Sequence, residues 1–156
     1  MNYHMDENKT LILLNELSEQ INNLYGFVKI AGENFGEPAI NSGPCGPFAN
    51  VFYTIWNQKF TDKVNIVFIM VKNSDECWHV LIRLPNGLLF DGGFGVHQEN
   101  KWDKDKFDIV DMLQYNLQLL EKNSGGLNRK YPRYCPNFSI EKVTNLITNC
   151  INLIEE

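Results

Sequence analysis

The sequence has no apolar run approaching the ~20 residues of a membrane span. Its longest, "VNIVFIMV" at 64–71, has the length of a β-strand. It has no C-x-x-C pair among Cys45, Cys77, Cys135 and Cys150, which removes the usual zinc and dithiol signatures. It has no basic excess: 14 Lys and Arg stand against 19 Asp and Glu, a net charge of −5. A general nucleic-acid binder needs clustered positive surface to displace counterions, so that class is set aside. The opening residues, "MNYHMDENKT", are polar and acidic, with no basic stretch leading into an apolar one, so no secretory signal is expected. Internal repeats, low-complexity tracts and a linker that would split the chain are also missing. These absences leave a single domain over residues 1–156. It is expected to have free thiols, a reducing and hence cytoplasmic setting in the producing or infected cell, and no membrane partner.

What is present is a globular composition, 44% apolar and 12% aromatic, enough for a core without disulfides. Asn, Ile and Lys are common, a bias that hints at a low-GC bacterium, its phage or a similar virus. Residues 9–25 carry Leu11, Leu14, Leu17, Ile21 and Leu24 at spacings of three and four, the mark of an amphipathic helix, with Asp6 or Asn8 as its cap. Residues 26–44, with four Gly and two Pro, are expected to be loop. From Pro47 the stripe Phe48, Val51, Phe52, Ile55, Trp56, Phe60 predicts a second helix, with Pro47 at its first position, where a missing N–H is harmless. Strands are predicted at 64–71, 77–84 and 88–94, then helices at 103–122 and from Ser139 to about Leu153, with a loop at 123–138. Strands grouped together rather than alternating with helices point to an α+β fold on an antiparallel sheet.

Residues 42–49, "SGPCGPFA", set Cys45 between two Gly-Pro pairs at a helix start. The positive end of the helix dipole lowers a thiol pKa there and raises the thiolate fraction. The segment "LPNGL" at 84–88 fits a three-residue hairpin loop: Pro85 and Asn86 make a type I turn and Gly87 takes the left-handed bulge position. Leu84 then faces Leu88, and Leu81 faces Asp91. His79 lies two residues from Leu81 on the same side, which makes His79 and Asp91 diagonal neighbours about 7–8 Å apart. A two-residue Asn-Gly turn would shift the register by one and separate them; Pro85 favours the first arrangement. Thiol, imidazole and carboxylate are the nucleophile, base and orienting group of covalent acyl transfer. The backbone N–H groups at Cys45 and Gly46 are natural oxyanion donors, with the Asn41 side chain as a possible helper.

A Cys at a helix start, a His on one strand and an Asp on the next resembles the papain-like superfamily, most closely its transglutaminase-like and arylamine N-acetyltransferase-like branches. "FDGGFG" at 90–95 is similar to the acetyltransferases' aspartate segment. "CGPFA" and "WHVLIRL" look like small bacterial and phage proteins of that superfamily. The resemblance covers about residues 41–95. It implies a nucleophile helix packed on a small antiparallel sheet with further helices, Cys45 as nucleophile, His79 as general base and acid, and Asp91 as orienting group. It departs from the family in its lead-in: Asn41-Ser42-Gly43-Pro44 stands in place of the acetyltransferases' Arg-Gly-Gly, and Ala39 falls where papains have a glutamine.

The expected function is a cysteine peptidase, isopeptidase or amidase acting through a thioester on a protein or peptide substrate, with no cofactor and no metal. Glutamine deamidation or acyl transfer by the same triad, or a non-catalytic inhibitor or effector module on the same fold, are the alternatives. Simpler roles stand beside these. Cys77, Cys135 and Cys150 are read as core thiols. Asp91 could cap a turn before Gly92 and Gly93. His97 could replace His79. A zinc site from Cys77, His79, His97 and Cys135 is disfavoured by spacing. Trp78 and Trp102 are read as packing residues, with a substrate platform as the alternative for both. The basic segment 128–134 is a solvated loop or a cleft wall.

Overall fold

The computed structural model describes residues 6–29, 36–112 and 138–156. Helix α1 spans Glu7–Tyr25, and Asp6 caps it by accepting the Lys9 backbone N–H. Two short strands, β1 (Phe27–Lys29) and β2 (Gly36–Pro38), pair antiparallel, and a 3-10 turn follows at Ala39–Asn41. The loop expected for residues 26–44 therefore contains a small hairpin. Strands of three residues are too short to show a period.

Helix α2 (Cys45–Lys59) leads into β3 (Asn65–Val71), β4 (Cys77–Arg83), β5 (Leu89–Asp91) and β6 (Gly95–His97). A 3-10 turn at Glu99–Lys101 leads to β7 (Phe107–Asp111), and α3 (Ile140–Glu155) ends the chain with Ser139 as its cap. The five longer-range strands form one antiparallel sheet in the order β6-β5-β4-β3-β7. The α+β class with an antiparallel sheet is what the grouping of strands implied.

The helix predicted at 103–122 is corrected over its first part. Asp103 folds a turn instead: its carbonyl accepts from Lys106 and Phe107, and its carboxylate from the Asp105 N–H. Phe107 and Ile109 then alternate onto the sheet as β7. Phe107 and Val110, three apart, imitate helical spacing, but the true period is two. The rest of that prediction, the loop at 123–137 and Cys135 lie outside the described residues.

One sheet face carries Ile66, Phe68, Val80, Ile82 and Phe90 beneath the helices. α2 lays Phe48, Phe52, Trp56 and Phe60 along it as a run of touching rings, with successive centroids 6.3, 5.6 and 4.6 Å apart. Leu14, Leu17 and Ile21 of α1 and Val143, Ile147 and Ile151 of α3 complete this core. Each fully buried side chain of this size contributes about 1.5–3 kcal/mol. This layer holds α2 rigidly over the sheet. The opposite face, Val67, Ile69, Leu81 and Leu89, is covered by Trp102, Phe107 and Ile109. Among the described residues no helix is long and apolar enough to cross a membrane.

Candidate active site

The "GPCGP" stretch makes an unplugged helix end. Gly43 takes a φ of 135°, a backbone that L side chains rarely adopt, and turns the chain into α2. Pro44 is the N-cap and offers no side-chain acceptor. Cys45 is thus the first helical residue, two positions earlier than the sequence implied, and Pro47 is the third. The first turn of a helix has no intrahelical acceptors for its N–H groups. At Cys45 and Gly46 these groups remain as donors at the helix tip, and Pro47 has none to satisfy.

The other two residues arrive through the hairpin. The Leu84 N–H donates to the Leu88 carbonyl, Gly87 donates back to Leu84, and Gly87 has a φ of 90°. This is the three-residue loop, and it sets Arg83 opposite Leu89 and Ile82 opposite Phe90. By strand alternation Leu84, Ile82 and Val80 all send their N–H groups toward β5. β5 stops at Asp91, so the Val80 N–H passes beyond the ladder and donates to the Cys45 sulfur. Cys45 also shares a side-chain hydrogen bond with His79. His79 Nε2 lies 3.2 Å from Asp91 Oδ2, and both residues are buried. With Nε2 committed to the carboxylate, Nδ1 is the ring nitrogen left for the sulfur.

Asp91 is held from four sides. Its Oδ1 accepts from the backbone N–H of Gly93 at 2.9 Å and of Phe94 at 2.6 Å, and from Asn41 Nδ2 at 3.1 Å, while Oδ2 takes His79. The turn supplying those N–H groups is gripped by α1. Ser18 Oγ donates to the Gly92 carbonyl, Asn22 Nδ2 to the Gly93 carbonyl, and Asn15 Oδ1 accepts from Val96, each at 2.9 Å. Close approach requires the glycine at 93, where a Cβ would lie 2.6 Å from Pro38 Cβ, while a Cβ on Gly92 would sit tight against the Phe48 ring at 3.0 Å.

The electrostatics follow from this geometry. Burial alone pushes the Cys45 thiol up, and the Asp91 charge adds to that; the His79 charge, the His79 hydrogen bond and the Val80 N–H outweigh both, so the thiol sits below its ordinary range. Burial likewise favours a neutral His79, but the Cys45 thiolate and the hydrogen bonds to Asp91 and Cys45 hold its pKa well above the ordinary value. Asp91 is opposed by burial and kept ionised by His79 and the Phe94 N–H. The resting state this supports is a thiolate–imidazolium pair backed by a carboxylate. Cys150 is the contrast: burial, with the charge of Glu16 adding, pushes its thiol up to about 12.

The residues expected at the site are brought together in unequal ways. Cys45, His79 and Asp91 form one row. Gly46 lies at the helix tip beside the sulfur. Asn41 is buried, and its amide donates to Asp91 rather than toward an oxyanion, so it acts on the carboxylate. Trp78 is the extra residue of a β-bulge, since Ile69 faces His79 and Met70 faces Cys77. The residue is 55% exposed, and its ring stands 5.8 Å from that of Phe107 on the sheet face opposite α2. His97 does not take the place of His79. Among the described residues no group of three His, Cys, Asp or Glu could hold a metal ion. Sequence reasoning missed Asn15, Ser18 and Asn22, whose spacing of three and four forms a polar stripe along α1. It also missed Phe94, whose ring stands edge-on to His79 at 6.4 Å.

No family model matches this chain, no curated protein matches its sequence, and no solved structure matches its fold.

Proposed function

We propose that the chain is a thiol-dependent acyl-transfer enzyme on a papain-like or transglutaminase-like plan, with an amide of a protein or peptide as substrate. The observation that carries this reading is the unbroken row of hydrogen bonds from Cys45 through His79 to Asp91, set against an uncapped helix tip. The Cys45 thiolate attacks the amide carbon, and the carbonyl electron pair moves to oxygen, where the Cys45 and Gly46 N–H groups receive it. Collapse of that adduct breaks the C–N bond. The leaving nitrogen takes the proton of the His79 imidazolium, and a thioester remains on Cys45. His79, now neutral, removes a proton from water; the hydroxyl adds to the thioester, the C–S bond breaks, and the acid leaves with the ion pair restored. An amine in place of water gives acyl transfer, and a side-chain carboxamide as substrate gives deamidation.

Iodoacetamide tests this reading. Cys45 is expected to be alkylated at neutral pH much faster than Cys77 or Cys150, at a rate that falls when His79 is replaced by Ala. A Cys45 no faster than Cys77 and Cys150 would instead indicate a non-catalytic binding module.

A further inference from the structure

His97 lies at the end of β6, and both of its ring nitrogens have partners whose chemistry allows only one arrangement. Nδ1 is 3.0 Å from the Gly95 carbonyl oxygen, which only accepts. Nε2 is 3.2 Å from Trp102 Nε1, an indole N–H that only donates. His97 must therefore carry its proton on Nδ1 and none on Nε2. A protonated ring would turn an N–H against the indole N–H and break the contact.

Trp102 is nearly buried and is a wall of the site. Its ring centroid lies 5.5 Å from that of His79 with the planes tilted by 36°, and 6.2 Å from that of Phe94. Together Trp102 and Phe94 cover the imidazole on the face of the sheet away from α2. An aromatic face against an imidazolium stabilises its charge, and exclusion of water strengthens its bond to Asp91.

We propose that His97, as the neutral Nδ1–H tautomer, is a positioning residue that holds the Trp102 indole against His79 and so supports the imidazolium of the Cys45 pair. Among the described residues, Asp91, Lys101 and His79 act on His97 through their charges. Asp91 favours its protonation, while Lys101 and His79 oppose it, and burial opposes it most, so protonation waits for pH below the ordinary histidine value. Acid then detaches Trp102 from an imidazole, that of His79, which already carries its charge.

The proposal relies on the thiolate–imidazolium reading only in its effect on sulfur, and the two are separable. Nitrogen NMR of histidine-labelled protein reads the His97 tautomer directly. Nδ1–H at neutral pH is expected, and Nε2–H overturns the proposal whatever Cys45 does. The second readout is the pH profile of Cys45 alkylation in His97→Gln, whose amide oxygen can accept the indole N–H, and in His97→Phe and Trp102→Phe, which each remove one partner but keep an aromatic ring. His97→Gln is expected to keep the neutral-pH rate and lose the part of the acid fall due to His97. The other two are expected to lower the neutral rate roughly fivefold, the scale of one lost hydrogen bond. Wild-type rates and profiles in both Phe variants overturn the proposal. A slow wild-type Cys45 together with the Nδ1–H tautomer overturns the enzyme reading and confines His97 to holding Trp102.

Discussion

The backbone N–H of Val80 and the sulfur of Cys45 meet at the place where β5 leaves the sheet. The ladder that would have used this N–H ends because α1 draws the Gly92–Gly93 turn away through Ser18 and Asn22. One strand thus serves the site twice. β4 presents His79 by its side chain and Val80 by its backbone. The sulfur gains a neutral donor and a charged one, and both favour the thiolate over the thiol.

The thiolate should depend on His79 more than on the helix end. In His79→Ala the burial of Cys45 remains while its strongest stabilising partner is gone, so the thiol is expected to titrate above the ordinary range rather than return to it. Thiolate absorbance across a pH titration measures this, and neutral-pH alkylation should slow by at least about tenfold. A Cys45 titration unchanged in His79→Ala would mean that the imidazole does not act on the sulfur.

The ion pair also shapes stability against pH. The ordinary values are 6.5 for the imidazole and 9.0 for the thiol. The raised His79 pKa contributes stability in full below 6.5 and loses it as pH rises. The lowered Cys45 pKa contributes in full above 9.0 and loses it as pH falls. Between these values the unfolded chain keeps its proton on sulfur and the folded chain keeps it on imidazole, so the proton counts match and the contribution is flat. Above 9.0 the unfolded thiol releases its proton while the folded pair retains one, and stability falls by up to about 1.4 kcal/mol per pH unit. Cys45→Ser has no thiol at that position to titrate. Urea midpoints at about pH 8 and about pH 10 should therefore drop more in the wild type than in this variant; equal drops would count against the pair.

The grip of α1 on the 92–96 turn is worth a separate measurement. Ser18 is buried, and Ser18→Ala leaves the Gly92 carbonyl without its hydroxyl donor. A loss of about 1–3 kcal/mol is expected in denaturant unfolding. Slower Cys45 alkylation should accompany it, because the turn also carries the two N–H groups on Asp91. Lost stability with unchanged alkylation would make α1 a fold element only.

The most legible part of the site was the hairpin. Pro85, Asn86 and Gly87 have only one comfortable three-residue arrangement, and that turn alone sets the register that joins His79 to Asp91. The helix start at Cys45 was legible from its flanking Gly-Pro pairs, to within two residues. The bulge at Trp78 was not, because an extra residue opposite one partner leaves no mark in a single strand. β7 was hidden because Phe107 and Val110 satisfy a helical spacing by coincidence. The α1 stripe was hidden because Asn15, Ser18 and Asn22 bond to residues 71 to 81 positions away, and polar residues on a helix ordinarily face water.

Asp91→Asn separates charge from shape. In the wild type, Oδ1 accepts three N–H donors, from Gly93, Phe94 and Asn41, and Oδ2 faces His79 Nε2. An asparagine has one oxygen, and the three donors fix where it must lie. Its NH2 group is then turned toward Nε2, which can take that bond only as an unprotonated acceptor. The single ring proton is forced onto Nδ1, the imidazolium is lost, and the sulfur faces a neutral N–H instead of a cation. The variant is expected to fold with a loss of about 1–3 kcal/mol. Its neutral-pH Cys45 alkylation should fall to near the rate of His79→Ala, and its histidine nitrogen NMR should show the Nδ1–H tautomer at residue 79. Wild-type alkylation in a folded Asp91→Asn protein would show that the carboxylate holds the ring in place without supporting its charge.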